Sequence, residues 1–225
     1  MQKSLFICTI LFIVLSAGNC KKPGNDNPPA AESTYQPLTV GSEWNYTVTG
    51  SNAGTFKVTI LNRDTTVNGK TYSVASNSAG PNEYYAKFSS DYLRFNKFPE
   101  LNNQLIELLY LKDNLVKGQT WTETKTINAT ITGLGTVPVT ATLVFTIAEK
   151  EIDHVVNGVT FKDVIKVTVV PSFTAFGAGV PVDSHDLQYF YAKNIGLIYS
   201  KASIVISFAS INSNSETKLG AYTIK

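Results

Sequence analysis

The stretch Val137–Ile147, VPVTATLVFTI, decides the fold class. Val137, Val139, Ala141, Leu143, Phe145 and Ile147 fall on one side of an extended chain, and Pro138, Thr140, Thr142, Val144 and Thr146 on the other. Successive side chains of a strand point to opposite faces, so this spacing predicts an antiparallel strand with one face on a core and one toward water. The same residues wound into a helix would scatter their apolar groups around its circumference.

The period of two continues outward from this segment. Trp44, Tyr46 and Val48 alternate with Glu43, Asn45 and Thr47; Phe56, Val58 and Ile60 alternate with Lys57 and Thr59. Further strands are expected at 71–76, 84–89, 92–98, 120–131, 164–170, 187–192, 204–208 and 219–224. Asn68–Gly69 and Asn157–Gly158 are the dipeptide that accepts the positive φ angles of a type I′ hairpin. Asn102–Lys112 (NNQLIELLYLK) competes as a helix, because Leu105, Leu108 and Leu109 share a helical stripe. Ile106, Leu108 and Tyr110 alternate as well, so a strand is the alternative to the short helix we read there. Phe173–Asp186 (FTAFGAGVPVDSHD) resists a strand and reads either as a mobile loop with apolar tips or as a long hairpin connection whose aromatics tuck back onto the sheet. Such a loop could cover a pocket, which makes Phe173, Phe176 and His185 candidate ligand-binding residues.

Three motifs recur in the same order. Leu38-x-x-Gly41-x-x-Trp44 returns as Leu115-x-x-Gly118-x-x-Trp121, and Val67–Asn68–Gly69-x-Thr71–Tyr72 as Val156–Asn157–Gly158-x-Thr160–Phe161. Tyr84–Tyr85–Ala86–Lys87 returns as Phe190–Tyr191–Ala192–Lys193. The spacing between copies grows along the chain, so the second copy should have longer hairpins. A few strands with one apolar face are marginal alone, whereas two copies can close a shared core. The expectation is a single all-β, mainly antiparallel domain over 37–225, duplicated as about 37–112 and 113–225. Its two similar β-meanders would form a curved sheet, a partly open barrel or a sandwich with at most one short helix. Trp44 and Trp121 are expected to anchor the core.

The N-terminal segment reads as an address. Lys3 precedes an apolar run, Leu5–Leu15, and then Ser16–Ala17–Gly18. This is the pattern of an export signal, and the run is too short for a permanent span with polar flanks. Cys20 follows directly, with Lys21, Lys22 and a Pro/Gly/Asn tract behind it. The arrangement resembles the lipobox of Gram-negative lipoproteins, with Asn19 where that motif has a small residue. The resemblance implies a signal peptide over 1–19, lipidation at Cys20 and a flexible tether over 20–36. At about 0.8 kcal/mol per buried methylene, several acyl chains on Cys20 would hold the protein to a membrane. By the sorting pattern of such lipoproteins, Lys21 in place of Asp implies the outer membrane and not retention at the inner one, and the lack of an adjacent acidic pair after Cys20 implies a domain facing the periplasm. Cys8 leaves with the signal, so Cys20 would be the sole mature thiol and no disulfide framework is expected.

Pro37–Leu38-x-Val40–Gly41-x-x-Trp44-x-Tyr46, Asn157–Gly158-x-x-Phe161-x-Asp163–Val164–Ile165-x-Val167 and Tyr191–Ala192–Lys193-x-x-Gly196–Leu197–Ile198 look like a group of bacterial lipoproteins of unassigned function. The resemblance implies a β-rich domain, similar to the curved half-barrels of periplasmic lipid and lipoprotein carriers. It brings no catalytic residues to carry over, and fold alone does not give function.

Composition narrows the chemistry. Aromatic residues make up 11% of the chain and charged residues 16%, a mix suited to sheets. A net charge of +2 is too small to argue for a nucleic-acid partner. Asp153–His154 and Asp183–Ser184–His185–Asp186 could ligate a metal, but both stand near turns, where such residues bond the local backbone. We therefore expect no metal and no cofactor. Glu149 and Glu151 read as a solvated edge, and no nucleophile has a placed base. The chain reads as a non-enzymatic binding domain for an apolar or glycan ligand. The alternative is a structural subunit contacting another envelope protein.

Overall fold

The computed structural model describes residues 33–98, 104–131, 135–207 and 211–225. The proposed signal, Cys20 and most of the tether lie outside the described residues. Among the described residues thirteen strands follow one another: β1 (Glu43–Gly50), β2 (Gly54–Val67), β3 (Lys70–Asn77), β4 (Glu83–Phe88), β5 (Asp91–Phe98), β6 (Gln104–Lys112), β7 (Thr120–Ile131), β8 (Gly135–Val156), β9 (Val159–Ala175), β10 (Ala178–Val180), β11 (Ser184–Ala192), β12 (Gly196–Ile206) and β13 (Ile211–Thr223). All pairings are antiparallel, and no helix longer than a single 3-10 residue stands among the described residues.

The sheet order is β6-β5-β4-β3-β2-β1-β13-β12-β11-β9-β8-β7, with β10 pairing only β9. This is one six-stranded meander (β1–β6) joined through β1 and β13 to a second (β7–β9 and β11–β13). The sheet curls until its two ends, β6 and β7, meet, giving a nearly closed twelve-stranded barrel. Closure removes most exposed strand edge, which in an open sheet invites pairing with other chains. At the remaining seam Trp121 of β7 donates its Nε1–H to the Leu109 carbonyl of β6 at 2.8 Å.

Corresponding positions of the two meanders make corresponding bonds. Gly41 N donates to Ile60 O at 2.9 Å and Gly118 N to Ile147 O at 2.7 Å. In return Ile60 N donates to Ser42 O at 3.0 Å and Ile147 N to Gln119 O at 2.9 Å. Both glycines sit at positive φ, +82° and +86°, where a Cβ would be strained. Three tight hairpin turns also use positive φ: Asn68–Gly69, Asn157–Gly158 and Phe176–Gly177. These are the paired angles of a type I′ turn.

Each long hairpin folds its tip across the outside of the barrel. Lys70 of β3 meets Glu107 of β6 at 2.8 Å, and the Tyr72 hydroxyl bonds the same carboxylate. These strands are three places apart in the sheet, about 14 Å on a flat one. The β2–β3 tip therefore lies over β4, β5 and β6, covering Tyr72, Ala86, Leu93 and Phe95 as a small outer core. The β8–β9 tip does the same to β11–β13: Asn157 donates to Leu219 O at 3.0 Å, and the Phe161 and Tyr222 rings lie 6.3 Å apart.

Val137, Val139, Ala141, Phe145 and Ile147 are buried on one face of β8, as the alternation requires. Two expectations fail. Asn102–Lys112 is not a helix: Gln104–Lys112 is strand β6, paired along its length with β5. Its alternation prevails because both faces are covered, Ile106, Leu108 and Tyr110 by the interior and Glu107 by the β2–β3 tip. Phe173–Asp186 is not one long loop. β9 continues to Ala175, turns at Phe176–Gly177 and returns as β10, which pairs Val180 with Phe173. Ser33–Lys225 forms one compact unit, so the folded part begins before Pro37. Tyr35 and Gln36, at the end of the stretch read as tether, are buried, and the Tyr35 backbone N–H donates to the Tyr92 hydroxyl at 3.1 Å.

Candidate ligand site in the barrel lumen

A cavity of about 370 Å³ occupies the inside of the barrel. This is within the range of small-molecule sites, toward the lower end. Both meanders contribute to its wall. The first supplies Trp44, Tyr46, Phe56, Tyr85, Leu108 and Tyr110; the second supplies Leu143, Phe145, Val169, Leu187, Tyr189 and Tyr191. Strand alternation aims these side chains inward. Val169, for example, pairs with Phe145 on one side and Leu187 on the other, and all three line the cavity. Tyr46 and Phe56 stack at 5.0 Å, and the Tyr46 hydroxyl donates to Leu197 O at 3.0 Å.

One charged cluster stands in this apolar wall. Glu83 of β4, 3% exposed, accepts from Asn77 Nδ2 at 2.7 Å and from the neighbouring Tyr85 hydroxyl. Arg94 of β5 places Nη2 at 2.9 Å from the same carboxylate, and its guanidinium lies over the Tyr85 ring. A buried carboxylate is tolerated only when donors meet it, and Glu83 has three. The Arg94 side chain keeps 39% of its accessible surface, and it lines the cavity. Burial alone would ease its proton off, but the Glu83 carboxylate beside it outweighs that and holds the guanidinium charged. Burial raises the ionisation of Tyr46, Tyr85, Tyr110 and Tyr191 well above the ordinary tyrosine value, so all four stay neutral. The lumen thus offers aromatic and aliphatic surface, a self-compensated ion pair, neutral hydroxyls and the amides of Gln36 and Asn96.

The residues singled out in the sequence do not gather here. Phe173 is half-buried in a cluster with Ile127, Val139 and Ala175. His185 is exposed at the start of β11, opposite Ile204. Both lie on the inward-facing register of their strands, beyond Val169 and Leu187, but neither lines the cavity. Phe176 is 71% exposed at the β9–β10 turn. His154 stacks on Phe190 at 4.0 Å on the outside of the barrel, and burial together with Lys166 lowers its proton affinity. Cys20 lies outside the described residues.

No protein-family model matches the chain, and no curated protein matches it. Two crystal structures are similar at the level of overall shape. One is named "a putative lipoprotein from Parabacteroides distasonis"; it is 12% identical over 85% of this chain and 99% of that one, with a TM-score of 0.47. The other is "a putative exported protein with YmcC-like fold" from Bacteroides fragilis, 10% identical over 83% of this chain and 97% of that one, with a TM-score of 0.41.

Proposed function

We propose that the protein is an exported envelope lipoprotein, anchored through Cys20 at the periplasmic side of the outer membrane, whose barrel holds an apolar ligand in its lumen. The observation that carries the ligand reading is the partly open cavity of about 370 Å³, walled mainly by aromatic and aliphatic side chains from both meanders. Ligand sites are commonly concave, mostly apolar and supplied with a few placed polar groups. The mainly apolar wall favours an apolar or amphiphilic molecule over a glycan, whose many hydroxyls would each need a partner once removed from water. Phe173 and His185 belong, in this reading, to the entrance.

Native mass spectrometry of the purified chain should reveal a co-purifying small molecule. Leu187→Trp, which fills the lumen, should abolish that added mass while the far-ultraviolet circular dichroism stays that of a β protein. A ligand retained by the variant would remove the lumen from the proposal. The address has its own test. Cells fed an alkyne-bearing palmitate analogue should label the native chain and leave Cys20→Ser unlabelled; equal labelling of both would exclude Cys20 as the anchor.

Contact with another envelope protein is the second reading. The exposed Phe176 at a hairpin tip favours it, since a large apolar side chain presented on a turn suits a protein interface.

A further inference from the structure

Two donors that line the lumen have no hydrogen-bond partner among the described residues: Arg94 Nε and the Tyr110 hydroxyl. Their side chains enter the lumen from adjacent strands, β5 and β6, where Arg94 pairs with Leu108, two residues before Tyr110. The remaining polar groups of the cluster are occupied. Glu83 is held by Asn77, Tyr85 and Arg94 Nη2, and the Tyr46 hydroxyl is taken by Leu197 O. A buried donor left unmade costs more than an ordinary hydrogen bond returns. Two such donors on adjacent strands of one largely apolar cavity are therefore matched to a ligand that brings an acceptor. That acceptor is compact, because rings and aliphatic chains make up most of the wall, with Gln36, Asn96, Ser200 and Thr217 as its polar side chains outside the cluster. It also need not bring a charge, because Glu83 already balances Arg94.

We infer that the lumen takes an acyl compound, its chain against the aromatic wall and its carbonyl or carboxylate oxygen accepting from Arg94 Nε–H and Tyr110 O–H. This rests on the lumen being a ligand site and adds the head-group chemistry to it.

The test measures decanoate, methyl decanoate and the acceptor-free hexylbenzene binding to the full chain and to two variants. Tyr110→Phe deletes a hydroxyl that has no partner among the described residues, so its melting temperature should be unchanged or raised. It should nonetheless weaken decanoate about ten-fold and leave hexylbenzene unaltered. Arg94→Lys keeps a cation beside Glu83 but removes the Nε donor, and should weaken decanoate in the same sense. A parallel loss with methyl decanoate assigns the contact to a carbonyl oxygen; a loss confined to decanoate assigns it to a free carboxylate. If hexylbenzene binds and neither variant changes decanoate, the head-group assignment is wrong and the apolar lumen stands. If none of the three compounds binds the native chain, the lumen reading itself is lost.

Discussion

Glu83→Leu should lower the unfolding free energy by about 3 kcal/mol, measured by urea denaturation at neutral pH. Removing one member of a buried ion pair leaves the other charge without compensation, a change that costs about 3–5 kcal/mol when both groups are deeply buried. The lower end applies because the Arg94 guanidinium retains surface on the lumen, where solvent or a ligand can screen it. The carboxylate also ties two other groups, since Asn77 and Tyr85 both donate to it. The double variant Glu83→Leu with Arg94→Leu should recover much of the loss, because a buried pair exchanged for apolar groups is often neutral. The solvent-accessible ion pair Lys57–Glu43 supplies the control: Glu43→Ala should cost far less than Glu83→Leu. If Glu83→Leu and Glu43→Ala cost the same, the lumen cluster is not an interior ion pair.

That cluster shows why the site was hidden in the sequence although the fold class was not. The period of two in Val137–Ile147 reflects a local rule, and a strand obeys it wherever it ends up. On β4 and β5 the rule is equally visible but its sign misleads. Tyr84, Ala86, Leu93 and Phe95 form the apolar face, and Glu83, Tyr85, Arg94 and Asn96 the polar one. Taken strand by strand, the apolar face would be put inside. The β2–β3 tip reverses this by covering the apolar face from outside, which leaves the polar face to line the lumen. Only the three-dimensional course of a hairpin far upstream decides the matter. The sequence does hold one signal for it, since Tyr85 stands among the charges and occurs in the recurring Tyr–Ala–Lys motif.

The misread segments have related causes. Ile211–Thr223 was expected to be strand only from Leu219, because INSNSETK has no apolar face to reveal it. β12 and β1 pair with it on either side, so backbone bonding to two neighbours supplies what side-chain pattern does not. At 104–112 the leucines satisfied two periods at once. A strand covered at least partly on both faces needs no wholly polar side, so nothing in the segment itself could choose. The recurrent motifs were the more dependable guide: Gly41 and Gly118 carry the same turn, and Asn68–Gly69 and Asn157–Gly158 both close hairpins.

Trp44→Ala is expected to be as damaging as the loss of Glu83 or more so, at about 3–5 kcal/mol by the usual cost of truncating a buried large aromatic. Trp44 is 1% exposed, packs in the main core and lines the lumen, so its removal enlarges an existing cavity that the barrel cannot collapse to fill. Its Nε1–H donates to the Ile195 carbonyl at 2.6 Å, tying the first meander to the β11–β12 turn of the second. Deleting that donor strands a carbonyl and adds about 1 kcal/mol. Trp121, its counterpart in the repeated motif, is 8% exposed, stacks on Phe145 at 5.0 Å and bonds Leu109 O across the β6–β7 seam. That seam has no strand ladder to lose among the described residues, so Trp121→Ala should cost less than Trp44→Ala. It should also speed amide exchange selectively in β6 and β7, where Trp44→Ala should speed it throughout the barrel. Equal losses of stability with the same exchange pattern would mean that the seam is held as firmly as the β1–β13 junction.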